Sequence, residues 1–447
     1  MSDPFPQLDA AFSDQIRDYM AAMGLPGLAV AVAVARRGDV RGSQRCFGMA
    51  SLDYRVPVAP CTLFHLGSVG KHITAAAVLL LVEEGRISLD DPISLHVAGL
   101  PEAWRQASVR HCLTMTSGIP DYEAGFSWDR PHGRADVIAR ANQEPPAFAP
   151  GEGWRYSNTG YMLLGWLIED VAGMPYPDLV RTRLLERAGL SRSRSDDAGR
   201  PIANRASPYL SGPGGFRHAV RPDGAVSAWP DGGILMAPAE FPAWHDALWG
   251  GRLVSGASLA ALVEPVMLTG GAVHPYGMGV RLDPADDAVG HGGWIPGFCT
   301  HWLTLPAQDL GVLVTTNGEP RIMGSLAGVA ALAAETVSPG STWRGWPELE
   351  DADPDRTARL LHLVLDRSNM DHRWFAPEMA VRSAGDLTRA GVPDFSGHGR
   401  PDRVELVWEG AFRGRPVRRL RLAWGPAALC LSAGYTPDGR IAWTQVG

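Results

Sequence analysis

Apolar positions recur at helical spacing over residues 7–23, with Leu8, Phe12, Ile16, Tyr19 and Met20 on one face, which predicts an amphipathic helix. The run from Gly27 to Ala35 alternates Ala with Leu and Val and predicts a strand. Arg36-Arg37-Gly38-Asp39 reads as the turn into a second strand. Residues 68–84 are apolar nearly all round, from Ile73 to Val82, so they predict a helix inside a domain, stopped by Gly85. Residues 100–160 read as loop-heavy. Helices are predicted at 159–172 and, more polar, at 176–188. Residues 191–232 read as irregular, strands return at 276–282, 298–305 and 310–316, and 322–335 reads as a closing helix. The order predicts an α+β fold whose sheet is built from both ends of the segment.

Val337 to Ser341, Pro347 and the acidic Glu348 to Asp355 form the best linker candidate. Beyond it, a helix is predicted at 354–369 and strands at 403–409, 416–424, 427–435 and 440–446, with Pro437-Asp438-Gly439 as a hairpin turn. The expectation is two domains, 1–340 and a small α+β domain of one helix and about four antiparallel strands, 350–447.

Composition narrows the function. A net charge of −7 provides no excess of cations for nucleic acid. The longest apolar runs, about ten residues, are too short for a bilayer. The five cysteines form no C-x-x-C pair, and Asp3, Asp9 and Asp14 stand where a signal peptide is basic. A cytoplasmic protein is therefore expected, with neither nucleic acid nor membrane as partner. No metal or dinucleotide motif appears, so no cofactor is expected.

One count changes the picture: of 41 basic residues, the sole lysine is Lys71. A chain that uses arginine everywhere else keeps one amine that can lose its proton. Ser68-Val69-Gly70-Lys71 places a hydroxyl and that amine a turn apart at the start of the buried helix. The helix N-terminus favours an oxyanion and, with burial, disfavours a charged lysine. A neutral amine there activates the serine. Tyr156-Ser157-Asn158 offers a phenol and an amide, and His291-Gly292-Gly293 offers a backbone that comes close to something. Taken alone, each of these two reads more readily as a turn. Ser117-Gly118 and Asp231-Gly232-Gly233 also read as turns.

With these motifs in chain order, residues 10–335 resemble the serine β-lactamase-like superfamily. The likeness is to the branch holding class C β-lactamases, D-alanyl-D-alanine carboxypeptidases and D-aminopeptidases. Phe64-His65-Leu66-Gly67-Ser68, Leu89-Asp90-Asp91-Pro92, Leu113 to Asp121, Pro150 to Tyr156 and Tyr276-Gly277-Met278-Gly279 agree with it. The resemblance implies an antiparallel sheet flanked by helices plus an all-helical lobe. It implies Ser68 as the acylated nucleophile, Lys71 as its proton acceptor and Tyr156 as a partner in proton transfer. Asn158, His291 and Gly293 would contact substrate, and the backbone N–H groups of Ser68 and Trp294 would form the oxyanion hole.

His291-Gly292-Gly293 stands where many relatives carry Lys-Thr-Gly, which removes a fixed cation for a β-lactam carboxylate. Met115 replaces a frequent His, a change read as neutral for mechanism. The tail is faintly similar to cystatin-like and nuclear transport factor-like domains. The leading expectation is a serine hydrolase of small peptides or amides, D-residues included, or of esters. Asp121, Glu123 and Asp231 are the candidates to hold a substrate ammonium. The alternatives are a carboxylesterase with weak β-lactamase or penicillin-binding activity, and a non-catalytic ligand-binding or scaffold protein. The tail is a candidate dimerisation module, making a homodimer a further expectation.

Overall fold

The computed structural model describes every residue except 1–2, 37–38, 124–125, 129–131, 198–199, 221–228, 286, 368–369 and 382–383. The expected turn at 36–39 and the end of the 354–369 helix therefore lie in part outside the described residues. Helix α1 (Ala10–Met23) starts at Asp9, whose carboxylate accepts the Phe12 N–H at 3.1 Å, and ends at Gly24 in a left-handed conformation. Strands β1 (Gly27–Arg36) and β2 (Asp39–Ser51) form an antiparallel hairpin, with β3 (Val56–Pro57) at the edge.

The helical lobe comes next. The predicted 68–84 helix opens as a tight 3₁₀ turn at Gly67–Gly70 and becomes α-helical at α2 (Lys71–Glu83). Helix α3 (Asn158–Ala172) packs against it, and α4 (Phe241–Trp249) lies over β1. The polar 176–188 stretch splits into a short α-helix, Tyr176–Val180, and one π turn, Arg181–Leu185. Within 191–232, Arg194–Ser195 and the pair Tyr209–Gly212 and Gly215–His218 form short strands.

Strands β4 (Arg281–Leu282), β5 (Val289–Ile295), β6 (Phe298–Leu305) and β7 (Leu310–Thr316) complete the sheet in the order β4-β5-β6-β7-β1-β2-β3. Every pairing is antiparallel, and Leu28 to Val34 of β1 pair with Thr316 to Leu310 of β7. Most of the expected 276–282 strand is a turn. Gly277 N–H donates to Val280 O at 2.9 Å and Gly279 adopts φ +75°, so extended backbone begins only at Arg281.

β1 is buried on both faces, which explains a run without polar residues. Leu28, Val30, Val32 and Val34 join one core, while the smaller Ala31 and Ala33 join the core of the helical lobe. Behind the first face lie α1 and α5 (Leu326–Val337). The tail begins with α6 (Pro354–Leu365) and closes with a four-stranded antiparallel meander, β8 (Arg403–Phe412), β9 (Arg415–Trp424), β10 (Ala427–Tyr435) and β11 (Ile441–Val446). Leu420, Leu422, Leu429 and Leu431 share one apolar core with Ile16, Val312 and Val329. Contact between α5 and β10 is so close that a Cβ on Gly328 would sit 1.9 Å from Ala428 O. The architecture is the β-lactamase/transpeptidase-like α+β fold, an antiparallel sheet flanked by helices with a helical lobe beside it. Among the described residues no helix is long and apolar enough to cross a membrane.

Candidate active site

Three stretches of backbone converge on the 3₁₀ turn that carries Ser68. Gly67 adopts φ +53°, and a Cβ there would lie 2.6 Å from Trp294 N on β5. A Cβ on Gly293 would lie 1.9 Å from Leu66 O and 3.3 Å from Ser68 N. From the opposite side, a Cβ on Gly232 would lie 2.8 Å from Gly67 C. These glycines let the strand and the Asp231–Gly233 loop close on the turn with no side chain between them.

Lys71, at the first position of α2, is 0% exposed. Its Nζ lies 3.0 Å from Ser68 Oγ, 2.6 Å from Asn158 Oδ1 and 2.6 Å from Asp231 O. Burial pushes the amine below its ordinary value, against the pull of Asp231, Glu123 and Asp121. The partners decide the geometry of the neutral form. Two are carbonyl oxygens that only accept, so they take the two remaining N–H groups. The lone pair then faces Ser68, the one partner that can donate a proton.

Asn158 is held by Asp121, whose Oδ2 accepts from both its backbone N–H and its Nδ2 at 3.2 Å. The side chain expected to contact substrate thus also fixes Lys71. Tyr156 is partly buried; its hydroxyl oxygen is covered and has no hydrogen-bond partner among the described residues, and Lys71 Nζ lies 5.1 Å from its ring centre. Burial raises its pKa while the Ser68 side chain beside it opposes the shift. Met115, read as neutral from sequence, shapes this loop. It sits at φ +62°, its carbonyl accepts Arg155 N–H at 3.0 Å and its sulfur accepts Ser157 N–H at 3.4 Å.

His291 is buried with both ring nitrogens engaged. Nδ1–H donates to Gly292 O at 2.6 Å, and the Tyr276 hydroxyl donates to Nε2 at 3.1 Å. Burial, with Arg281 nearby, holds it well below the ordinary histidine range, so it is neutral. Trp294 contributes backbone beside Ser68, while its indole is 41% exposed.

Ser68, Glu123, Tyr156, Arg281, Trp294 and Arg389 are among the residues lining one cavity of about 530 Å³. Asp121, Asn158, His291 and Gly293 line it too, so the structure brings the expected site residues to one place except Lys71, which lies beneath its floor, and Asp231, which lines a smaller cavity with Ser68 and Asn158. Asp121, Glu123 and Asp231 form an acidic group whose carboxyls are all pushed up by burial, with the Tyr122 hydroxyl donating to Asp231 Oδ2 at 2.7 Å. Among the described residues no group of His, Cys, Asp and Glu could hold a metal ion.

Sequence reasoning missed four features. The Asp231 carbonyl contact has no side-chain signature. Tyr276 and Arg281 flank the turn at Gly277–Gly279, where the glycines drew the attention. The Arg281 side chain has no hydrogen bond or ion pair among the described residues, yet it lines the cavity. Thr388, Arg389 and Gly391 of the tail also line it, and no local pattern in the sequence points to them.

Penicillin-binding protein 4* of Bacillus subtilis (strain 168) is 31% identical over 291 residues, 60% of this chain and 63% of that protein. The D-aminopeptidase of Gluconobacter oxydans (strain 621H) is 27% identical over 333 residues, 71% of this chain and 60% of that protein. The chain thus spans about three fifths of the length of these curated relatives. Among solved structures, the octameric penicillin-binding protein homologue from Pyrococcus abyssi is similar with a TM-score of 0.63 at 21% identity, covering 98% of this chain and 99% of that one. Residues 12–335 match the Beta-lactamase family model, and the chain belongs to that family.

Proposed function

We propose that this chain is a serine hydrolase that forms an acyl-enzyme on Ser68 and cleaves small peptides or amides, D-amino-acid derivatives among them. The observation that carries the reading is the 3.0 Å approach of Lys71 Nζ to Ser68 Oγ, with two pure acceptors occupying the rest of the amine. Neutral Lys71 takes the Ser68 proton as Oγ bonds to the substrate carbonyl carbon. The backbone N–H groups of Ser68 and Trp294 receive the developing oxyanion. As the tetrahedral adduct collapses, the proton passes from Lys71 by way of Tyr156 to the leaving nitrogen and the C–N bond breaks. Water then adds to the ester with its proton taken along the same path, and Ser68 is restored with release of the acid.

Glu123 supports a substrate ammonium. Of the three acids, Glu123 alone lines both the main cavity and a small one of about 30 Å³ against Ser68, while the Tyr122 hydroxyl occupies Asp231. The similarity to a D-aminopeptidase fits this choice. An esterase is the second reading, favoured by neutral His291, which supplies no charge for a leaving group. The division into 1–340 and 350–447, a homodimer and a cytoplasmic location belong to the same proposal. The free state of all five cysteines supports the last.

Intact-protein mass spectrometry after incubation with a fluorophosphonate, and separately with a penicillin, tests the reading. An adduct on Ser68 that disappears in Ser68→Ala is expected, and no adduct with either probe overturns it. Rates on D-aminoacyl anilides against short acyl esters then separate amidase from esterase.

A further inference from the structure

The 12–335 segment does not enclose the cavity by itself. Thr388, Arg389 and Gly391 of the tail form part of its wall. This wall is fastened to the loop that carries Tyr156. Tyr156 N–H donates to Arg389 O at 3.0 Å, and Trp154 N–H donates to Glu378 O at 3.3 Å. Arg155 pairs with Asp386 at 3.1 Å, both side chains being largely covered at 13% and 20% exposure. A Cβ on Gly391 would lie 3.3 Å from the Trp154 ring, so the tail backbone rests on the base of the loop. Arg389 therefore holds a set position relative to Tyr156.

The Arg389 guanidinium is only partly used. Nη1 pairs with Glu144 Oε2 at 2.8 Å, Glu144 being 51% exposed, and the other guanidinium nitrogens have no partner among the described residues. The Arg281 side chain, on the His291 side of Ser68, has no hydrogen-bond or ion-pair partner among the described residues. The acidic group lies on the Asn158 side. The cavity thus presents two guanidinium groups with donors to spare, and an anion between them would satisfy those donors with charge-assisted hydrogen bonds.

We propose that Arg389 is a specificity-determining residue which, with Arg281, receives a carboxylate at the end of the substrate. The inference rests on the hydrolase reading and narrows its substrates to small peptides with a free carboxyl end. The tail then supplies part of the substrate site rather than only covering it.

Binding in the absence of turnover tests this. On Ser68→Ala protein, isothermal titration with N-acetyl-D-alanine and with N-acetyl-D-alaninamide compares a carboxylate with its neutral isostere. The acid is expected to bind about tenfold more tightly. Adding Arg389→Ala removes the preference and Arg389→Lys, which keeps a cation, retains part of it; both leave the Arg389 carbonyl that holds Tyr156 in place. Glu144→Gln frees the guanidinium and increases the preference, a second measurement that does not depend on how well Arg389→Ala folds. No measurable binding of the acid, equal binding of acid and amide, or a preference that survives Arg389→Ala overturns the inference. Fluorophosphonate labelling of the wild-type chain reports separately on the hydrolase reading, since loss of labelling leaves the acid-to-amide ratio untouched.

Discussion

Lys71 was conspicuous in the sequence because every other basic residue is arginine, and the structure places its amine 3.0 Å from Ser68 Oγ. Lys71→Arg keeps a cation near Ser68 but cannot release a proton, so kcat is expected to fall about 10²- to 10⁴-fold. The pH profile follows from the direction of the shift. Burial holds the amine below its ordinary 10.5, so kcat/KM rises as pH climbs through that lowered value. The neighbouring carboxylates pull the other way, so Glu123→Gln moves the ascending limb to lower pH. The same carboxyls affect stability. Their folded pKa values are raised, so the stability they contribute at low pH is lost as pH rises from the ordinary carboxyl range through those raised values. Glu123→Gln is expected to melt about 1–3 °C higher at pH 8 and no higher at pH 4, read by calorimetry. Ser68, Tyr156 and Asn158 were legible through spacing and resemblance. The Asp231 carbonyl was not, because any residue type could supply it.

At the scale of elements, what could be read depended on whether side chains carried the pattern. β1 and α2 declare themselves by unbroken apolar runs, and both are buried. β5 does not, because Gly290, Gly292 and Gly293 contribute backbone and almost no hydropathy, although that backbone closes the site. The 276–282 stretch misled for the opposite reason: Tyr276, Met278 and Val280 alternate like a strand, while glycine at φ +75° turns the chain. Gly293→Ala places a methyl 1.9 Å from Leu66 O and forces β5 away from Ser68 N. Acylation of Ser68 by a fluorophosphonate is expected to slow about 10²-fold or more, while circular dichroism stays near wild type.

Across the whole molecule, the tail's own fold was legible from its strands and its Asp438-Gly439 turn, but its place was not. Contacts such as Tyr156 N–H to Arg389 O join positions far apart in the chain and leave no local mark. The meander shares a core with α1 and α5, and buried Arg419 pairs with Asp283 at 2.6 Å. Truncation after residue 340 would bare that core. The shortened chain is expected to lose its cooperative thermal transition and to bind 8-anilinonaphthalene-1-sulfonate, whereas a freely separable tail would leave both unchanged. The lone lysine has a further consequence at this scale. A protease that cuts after lysine and ignores arginine has one internal bond to attack, Lys71–His72, and both residues are buried at the root of α2. Its cleavage therefore clocks the opening of the core around Ser68, and two fragments meeting at that bond read out the native-state lifetime at the candidate site itself.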